Sequence, residues 1–144
     1  MEAYDPDFQP FTSDYPGNYV FSKQPLAAQT NAATLASALL AVVPTGERER
    51  CMAAFQRLTE ERFQEHFRRV HAENCRRKLG LATWDEDARA TWRQLLQLMH
   101  ASKADFTMVF RILASAHSSP SLASLLPAFG GPLTGDLPAM WSMW

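Results

Sequence analysis

Between residues 26 and 113 the apolar side chains recur three and four positions apart, and no window alternates with period two. Residues at that spacing share one face of a helix, so the chain is committed to helices and a substantial sheet is not expected. Ala32, Leu35, Ala36, Leu39, Leu40 and Val43 form the first stripe, stopped by Pro44 and Gly46. Thr45 is placed to cap a second helix from about Glu47 to Leu79, with Glu47 and Glu49 at its positive end. Met52, Phe55, Leu58, Phe63, Phe67 and Val70 would face inward, and Gly80 would close the helix in a left-handed conformation. Thr83 with Glu86, and Ser102 with Asp105, have the spacing of capping boxes. The helices they introduce would bury Ala88, Trp92, Leu95, Leu96 and Met99, then Phe106, Val109, Phe110 and Leu113.

The stretches on either side of residues 26–113 differ from it, and the chain is divided into an aromatic, proline-rich loop of residues 1–25 and a helical region of residues 26–144. Residues 1–25 carry Pro6, Pro10, Pro16 and Pro25, and Pro16-Gly17 is a turn signal. Six of the sixteen aromatic residues lie there: Tyr4, Phe8, Phe11, Tyr15, Tyr19 and Phe21. An irregular segment so rich in rings is expected to dock on a surface, because each buried ring removes roughly 150–250 Å² from water. Beyond Ala114 the chain is rich in small residues, with turns at Ser118-Ser119-Pro120 and Gly130-Gly131-Pro132. Leu137 to Trp144 would make one helical turn, with Trp141 and Trp144 three apart.

Charge excludes several function classes. The 144 residues carry a net charge of −1, so the whole chain makes no electrostatic case for nucleic acid or an anionic membrane. Apolar content of 47% against 20% charged is an ordinary globular balance. Cys51 and Cys75 are too few for a disulfide scaffold. No apolar run approaches the roughly 20 residues of a membrane span, and the acidic start fits neither a secretory signal nor a transit peptide. An intracellular, reducing compartment is expected.

Three clusters invite chemistry, each with a plainer reading. Arg68, Arg69, Arg76, Arg77 and Lys78 give the segment Glu47–Lys78 a net charge of +3. Such a helix could meet phosphates, but Glu60, Glu61, Glu65 and Glu73 stand at pairing distance and favour a solvated face. His71 and Cys75, four apart with His66 nearby, could begin a zinc site, yet a structural site needs four ligands. Asp5, Asp7 and Asp14 could hold Mg²⁺ or act as bases, but Asp beside Pro and Gly is an ordinary turn former. There is no glycine-rich phosphate loop. Read from its own residues, the sequence offers no active site.

The order of several short motifs resembles the selenoprotein O family, also called SelO or YdiU. Glu2-Ala3-Tyr4-Asp5-Pro6-Asp7-Phe8 is similar to the family's (D/E)-x-(F/Y)-D-P-x-F loop. Ser13-Asp14 followed by Gly17-Asn18-Tyr19 resembles its HSD…GRY turn, with Thr12 for His and Asn18 for Arg. Phe21, Gln24, Pro25, Asn31, Leu35-Ala36 and Leu39 fall at the spacing of its Y-x-x-Q-P…W-N-L-x-x-L-A-x-x-L stretch, with Thr30 for Trp and Ala32 for Leu. Arg76-x-Lys78-Leu79-Gly80-Leu81 is similar to R-x-K-L-G-L. Leu95 and Met99 fall in its L-(L/F)-x-L-M helix, and Asp105-Phe106-Thr107 with Phe110-Arg111 and Leu113 resembles D-(Y/F)-T-x-x-F-R-x-L. Each motif alone is weak; their order and spacing span almost the whole chain.

The resemblance implies a mainly α fold: the helical part of a protein-kinase-like C-lobe with an extended aromatic N-terminal loop, and an incomplete domain. It implies transfer of AMP from ATP to Ser, Thr or Tyr hydroxyls of protein substrates, with Mg²⁺ or Mn²⁺. The family's glycine-rich loop, ATP-holding lysine and arginines, catalytic Asp and metal ligands precede the loop matched by Glu2–Phe8, and its cysteine or selenocysteine motif would follow Trp144. No catalytic, cofactor-binding or metal residue is therefore assigned within this chain. The chain alone is expected to be inactive, and to partner a missing upstream half of the kinase-like domain, Met1 being an internal methionine. The family implies the mitochondrion in eukaryotes and the cytoplasm in bacteria. A stand-alone helical interaction module, and a nucleic-acid binder using the Arg-rich helix, are the competing expectations.

Overall fold

The computed structural model describes residues 3–115 and 122–129. The expected turns at 118–120 and 130–132, and the Trp141/Trp144 helix, lie outside these residues. Among the described residues six α-helices follow in order: α1 (Gln24–Leu40), α2 (Arg48–Arg57), α3 (Phe63–Lys78), α4 (Glu86–Ala101), α5 (Phe106–Ser115) and the short α6 (Leu122–Leu125). No strand occurs among the described residues; a single antiparallel bridge joins Ala104 to Phe129. The helices fall into two compact units, one of residues 1–6 and 72–144, the other of Asp7–His71.

The first unit holds the hydrophobic core. On α4, Trp92, Leu95 and Met99 follow the three-and-four spacing, and all are buried together with Ala88 and Leu98. Val109 and Phe110 of α5, Cys75 of α3, Leu125 and Ala128 complete the cluster. Trp92 stacks on Phe110 at 5.6 Å, and Phe106 meets Phe110 edge-on at 4.9 Å. Tyr4 enters this core from the N-terminal segment. Its amide donates to the Ala104 carbonyl at 2.7 Å, and its ring lies 5.7 Å from that of Phe106.

The second unit is held more by polar contacts. Asp14 is buried and accepts from the Asn18 amide at 3.0 Å and the Tyr19 amide at 2.7 Å, so the loop folds around its carboxylate. Gly17 turns that loop at φ +66°, a conformation open to glycine at little cost. Gln29 of α1 donates to the Thr59 carbonyl at 3.2 Å and accepts from Gln64 Nε2 at 2.8 Å, tying α1 to the turn after α2 and to the start of α3.

Local punctuation departs from expectation at four places. The helix expected from Glu47 to Leu79 is interrupted by one π-helical turn, Leu58–Arg62. Thr45 does not cap α2: it starts a 3-10 turn, Thr45–Glu47, and no side chain caps the helix. At α4 the cap is Asp85, whose carboxylate accepts from the Ala88 amide at 2.9 Å while Thr83 supports it through a 3.0 Å hydrogen bond. At α5 Asp105 accepts from the Met108 amide at 2.9 Å, whereas Ser102 turns back to the Leu98 carbonyl at the end of α4. In place of each expected cap, the short aspartate two or three residues on accepts from the free amide. Gly80 does close α3 as expected, at φ +65°, with the Leu81 amide bonded back to the Arg76 carbonyl.

Burial also departs from the sequence pattern in the second unit. Leu35, Leu39, Leu58 and Val70, expected inward, are exposed, and Ala36 and Ala27 are the residues that α1 buries. Of the six N-terminal rings, Tyr4 is buried, while Phe8, Phe11, Tyr15 and Phe21 are exposed. The expected docking of the aromatic loop therefore holds for one ring. Phe11 meets Tyr19 edge-on at 6.0 Å inside the loop itself.

Candidate functional site

Two sequence motifs some thirty residues apart converge in the first unit. Arg77, Lys78 and Leu79, at the end of α3, and Phe106, Phe110 and Arg111, on α5, line one open cleft of about 830 Å³. The α3 turn that presents these residues is clamped by Arg76. Its guanidinium donates to Glu73 at 2.8 and 2.9 Å and to the Leu81 carbonyl at 2.7 Å. Gly80 lets the chain reverse directly after Leu79, and Arg76 holds the reversed strand of backbone in place.

The clamp has an electrostatic signature. Hydrogen bonds from Arg76 and then Arg77 hold the Glu73 carboxyl at about 2, against an ordinary 4.5. Arg76 is correspondingly raised by Glu73. A carboxylate depressed in the folded state stabilises above its unfolded value and loses that contribution as pH falls through the folded one. The Glu73 contribution is thus present above about pH 4.5 and lost toward pH 2. Glu73→Gln is expected to flatten the fall of the thermal midpoint across that window. Because Glu73 is 41% exposed, the difference should shrink in high salt. An acid limb identical to that of the unaltered chain would remove the clamp from the account.

Inside the cleft Lys78 Nζ lies 4.7 Å from the Phe110 ring centroid and 5.2 Å from that of Phe106. The rings hold the ammonium in place while leaving it exposed to water. Among the described residues no carboxylate pairs with Lys78 or with Arg111, while Arg77 shares Glu73 with Arg76. Among the described residues no acidic side chain lines the cleft. Its apolar floor comes from Leu79, Phe110 and Leu113.

The other candidates are not assembled into a site. Cys75 is buried in the core, and burial pushes its thiol up to about 11, so it is a poor thiolate at neutral pH. His71 is exposed, its ring stacked on Phe67 at 5.6 Å, and His66 bonds Arg69 at 3.2 Å. Both Asp14 oxygens are taken by backbone amides. Asp5 lies 3.9 Å from His100 Nδ1, beside Tyr4. Burial and then the Asp5 charge raise the Tyr4 hydroxyl above its ordinary value. No group of three or more His, Cys, Asp or Glu side chains suited to a metal ion occurs among the described residues, and none of their helices is long and apolar enough to cross a membrane. The sequence reading treated Arg77 and Lys78 as a solvated face and named Arg111 only as part of a family motif. No local signal joins them, because their meeting depends on how α3 and α5 pack.

Comparison with known proteins places these motifs in a family. The family model described as protein adenylyltransferase SelO matches residues 1–125. The chain is 37% identical over 130 residues to protein adenylyltransferase SelO, mitochondrial, of Homo sapiens, an overlap of 88% of this chain and 18% of that protein. To the protein of the same name in Mus musculus it is 35% identical over 116 residues, covering 80% and 16%. To protein nucleotidyltransferase YdiU of Maridesulfovibrio salexigens it is 39% identical over 119 residues, covering 81% and 23%. The chain spans about a fifth of the length of these relatives. No solved structure matches.

Proposed function

Since this chain belongs to the SelO protein adenylyltransferase family, we propose that it forms part of a protein AMP-transferase and does not carry out the transfer by itself. The observation that carries this reading is the family match over residues 1–125, which includes both motifs that build the cleft. In this reading AMP passes from ATP to a Ser, Thr or Tyr hydroxyl of a protein. A bond forms between the hydroxyl oxygen and the α-phosphorus, the bond from that phosphorus to the oxygen bridging to the β-phosphate breaks, pyrophosphate leaves, and the hydroxyl proton passes to solvent.

ATP with Mg²⁺ or Mn²⁺ does not fit the residues described. The carboxylates that could hold a cation are dispersed or already satisfied, as Asp14 is by two amides and Glu73 by two arginines. No step is therefore routed through these residues. Their role in this reading is architectural and in partner recognition: a helical portion of a kinase-like C-lobe, acting with the nucleotide-holding remainder of a family protein. The two mammalian relatives carry the word mitochondrial in their names, so the mitochondrion is the proposed location for a eukaryotic source and the cytoplasm for a bacterial one.

The test is incubation of the pure chain with ATP labelled at the α-phosphate, Mg²⁺ or Mn²⁺, and a protein rich in accessible hydroxyls. No label above the blank is expected. Metal-dependent labelling by the chain alone would overturn its assignment as a non-catalytic part.

A further inference from the structure

We propose that the cleft between the end of α3 and α5 is a docking groove for an acidic, apolar-flanked peptide segment of a protein partner. Three cations, Arg77, Lys78 and Arg111, stand around it, and among the described residues no acidic side chain lines it. Lys78 and Arg111 have no carboxylate partner among the described residues. Arg77 is already paired with Glu73, but Lys78 and Arg111 leave the rim with uncompensated positive charge, complementary to a negatively charged segment. The floor of Leu79, Phe110 and Leu113 offers apolar area to a side chain flanking the acids.

A nucleotide fits less well. Lys78 sits over the Phe106 and Phe110 rings, and Trp92 stacks on Phe110, so no clear aromatic face is left for a base. Arginine can meet a carboxylate through two parallel hydrogen bonds, and both arginines here are exposed enough to do so. The open shape suits an extended chain better than an enclosed small molecule.

This inference does not depend on AMP transfer, so its failure would leave the family reading intact. The test uses the full chain and a short fluorescein-labelled peptide of alternating glutamate and leucine, read by fluorescence anisotropy. Binding is expected that weakens with salt and is lost when glutamine replaces glutamate in the peptide. Arg111→Glu is expected to raise Kd by about tenfold, Arg111→Lys to restore most of it, and Arg68→Glu, outside the groove, to change nothing. Thr107→Glu, in the exposed first turn of α5 and lining the groove, is the second variant should Arg111→Glu lose helicity by circular dichroism. An acid at that helix start favours folding while repelling the peptide. Absence of binding, equal binding of the glutamine peptide, indifference to both acidic variants, or displacement of the probe by equimolar inorganic phosphate would each overturn the proposal.

Discussion

Leu95→Ala is expected to destabilise the unit formed by residues 1–6 and 72–144 by about 2–5 kcal/mol, the range for removing a sealed leucine from a core. Leu95 is 0% exposed and sits midway along α4, between Trp92 and Met99, in the cluster completed by Val109 and Phe110. Truncation removes three carbons and leaves a cavity among neighbours that cannot collapse freely. The stacked Trp92 and Phe110 rings are fixed on two helices, and Met99 and Val109 are themselves fully buried. The cost should lie toward the upper part of the range for that reason. Against a total stability of about 5–15 kcal/mol, such a loss is a large fraction. The thermal midpoint should fall by on the order of 10 °C or more. Leu126→Ala in the same unit, 48% exposed, is the control and should stay within about 1 kcal/mol. Equal effects of the two substitutions in urea unfolding would show that α4 does not seal this core.

Asp14→Ala is expected to open the loop between Phe8 and Phe21 in the other unit. The Asp14 carboxylate accepts one hydrogen bond on each oxygen, from the amides of Asn18 and Tyr19, and is 8% exposed. Its own carbonyl accepts from the Gly17 amide at 2.9 Å and from the Gln9 side chain. Alanine would leave two amides without acceptors inside a turn. A sealed donor left unsatisfied costs roughly 1–3 kcal/mol; Asn18 is exposed and Tyr19 half-buried, so water recovers part and the loss should be about 1–2 kcal/mol. The readout is amide hydrogen exchange: Asn18 and Tyr19 should exchange far faster, and the Phe21-to-Phe8 backbone bond at 3.0 Å should lose protection with them. Unchanged protection at Asn18 and Tyr19 would show that the loop is held from elsewhere. The Ser13-Asp14…Gly17-Asn18-Tyr19 motif is thereby explained as a folding device: the Asp binds the amides and the Gly supplies the left-handed turn.

The basic residues of α3 show how one stretch of sequence takes three different parts. Arg76 is a clamp on backbone carbonyls, Lys78 is seated on two rings, and Arg77 shares a carboxylate at the surface. Their adjacency in sequence gave them one character, a charged run. Helical geometry separates neighbours by about 100°, so each meets a different environment.

What the sequence determined by itself was local and periodic. Helical spacing foretold the stripes of α4 and α5, because Trp92, Leu95, Met99, Val109 and Phe110 are large, and a fold that buries them gains most from doing so. Gly80 announced the end of α3, because a backbone angle of +65° is costly for residues with a side chain. The order of short motifs announced the family. Tertiary structure decided the rest. It chose Asp85 and Asp105 over Thr83 and Ser102 as caps, since the path of the entering chain determines which acceptor reaches the free amides. It left Leu35 and Leu39 exposed although their spacing matches a buried face, because periodicity marks a face without supplying a partner for it. It brought Lys78 to Phe106 and Phe110, a meeting that no local rule contains. Contacts between residues so far apart along the chain depend on how two helices pack, and that is settled by the whole core at once.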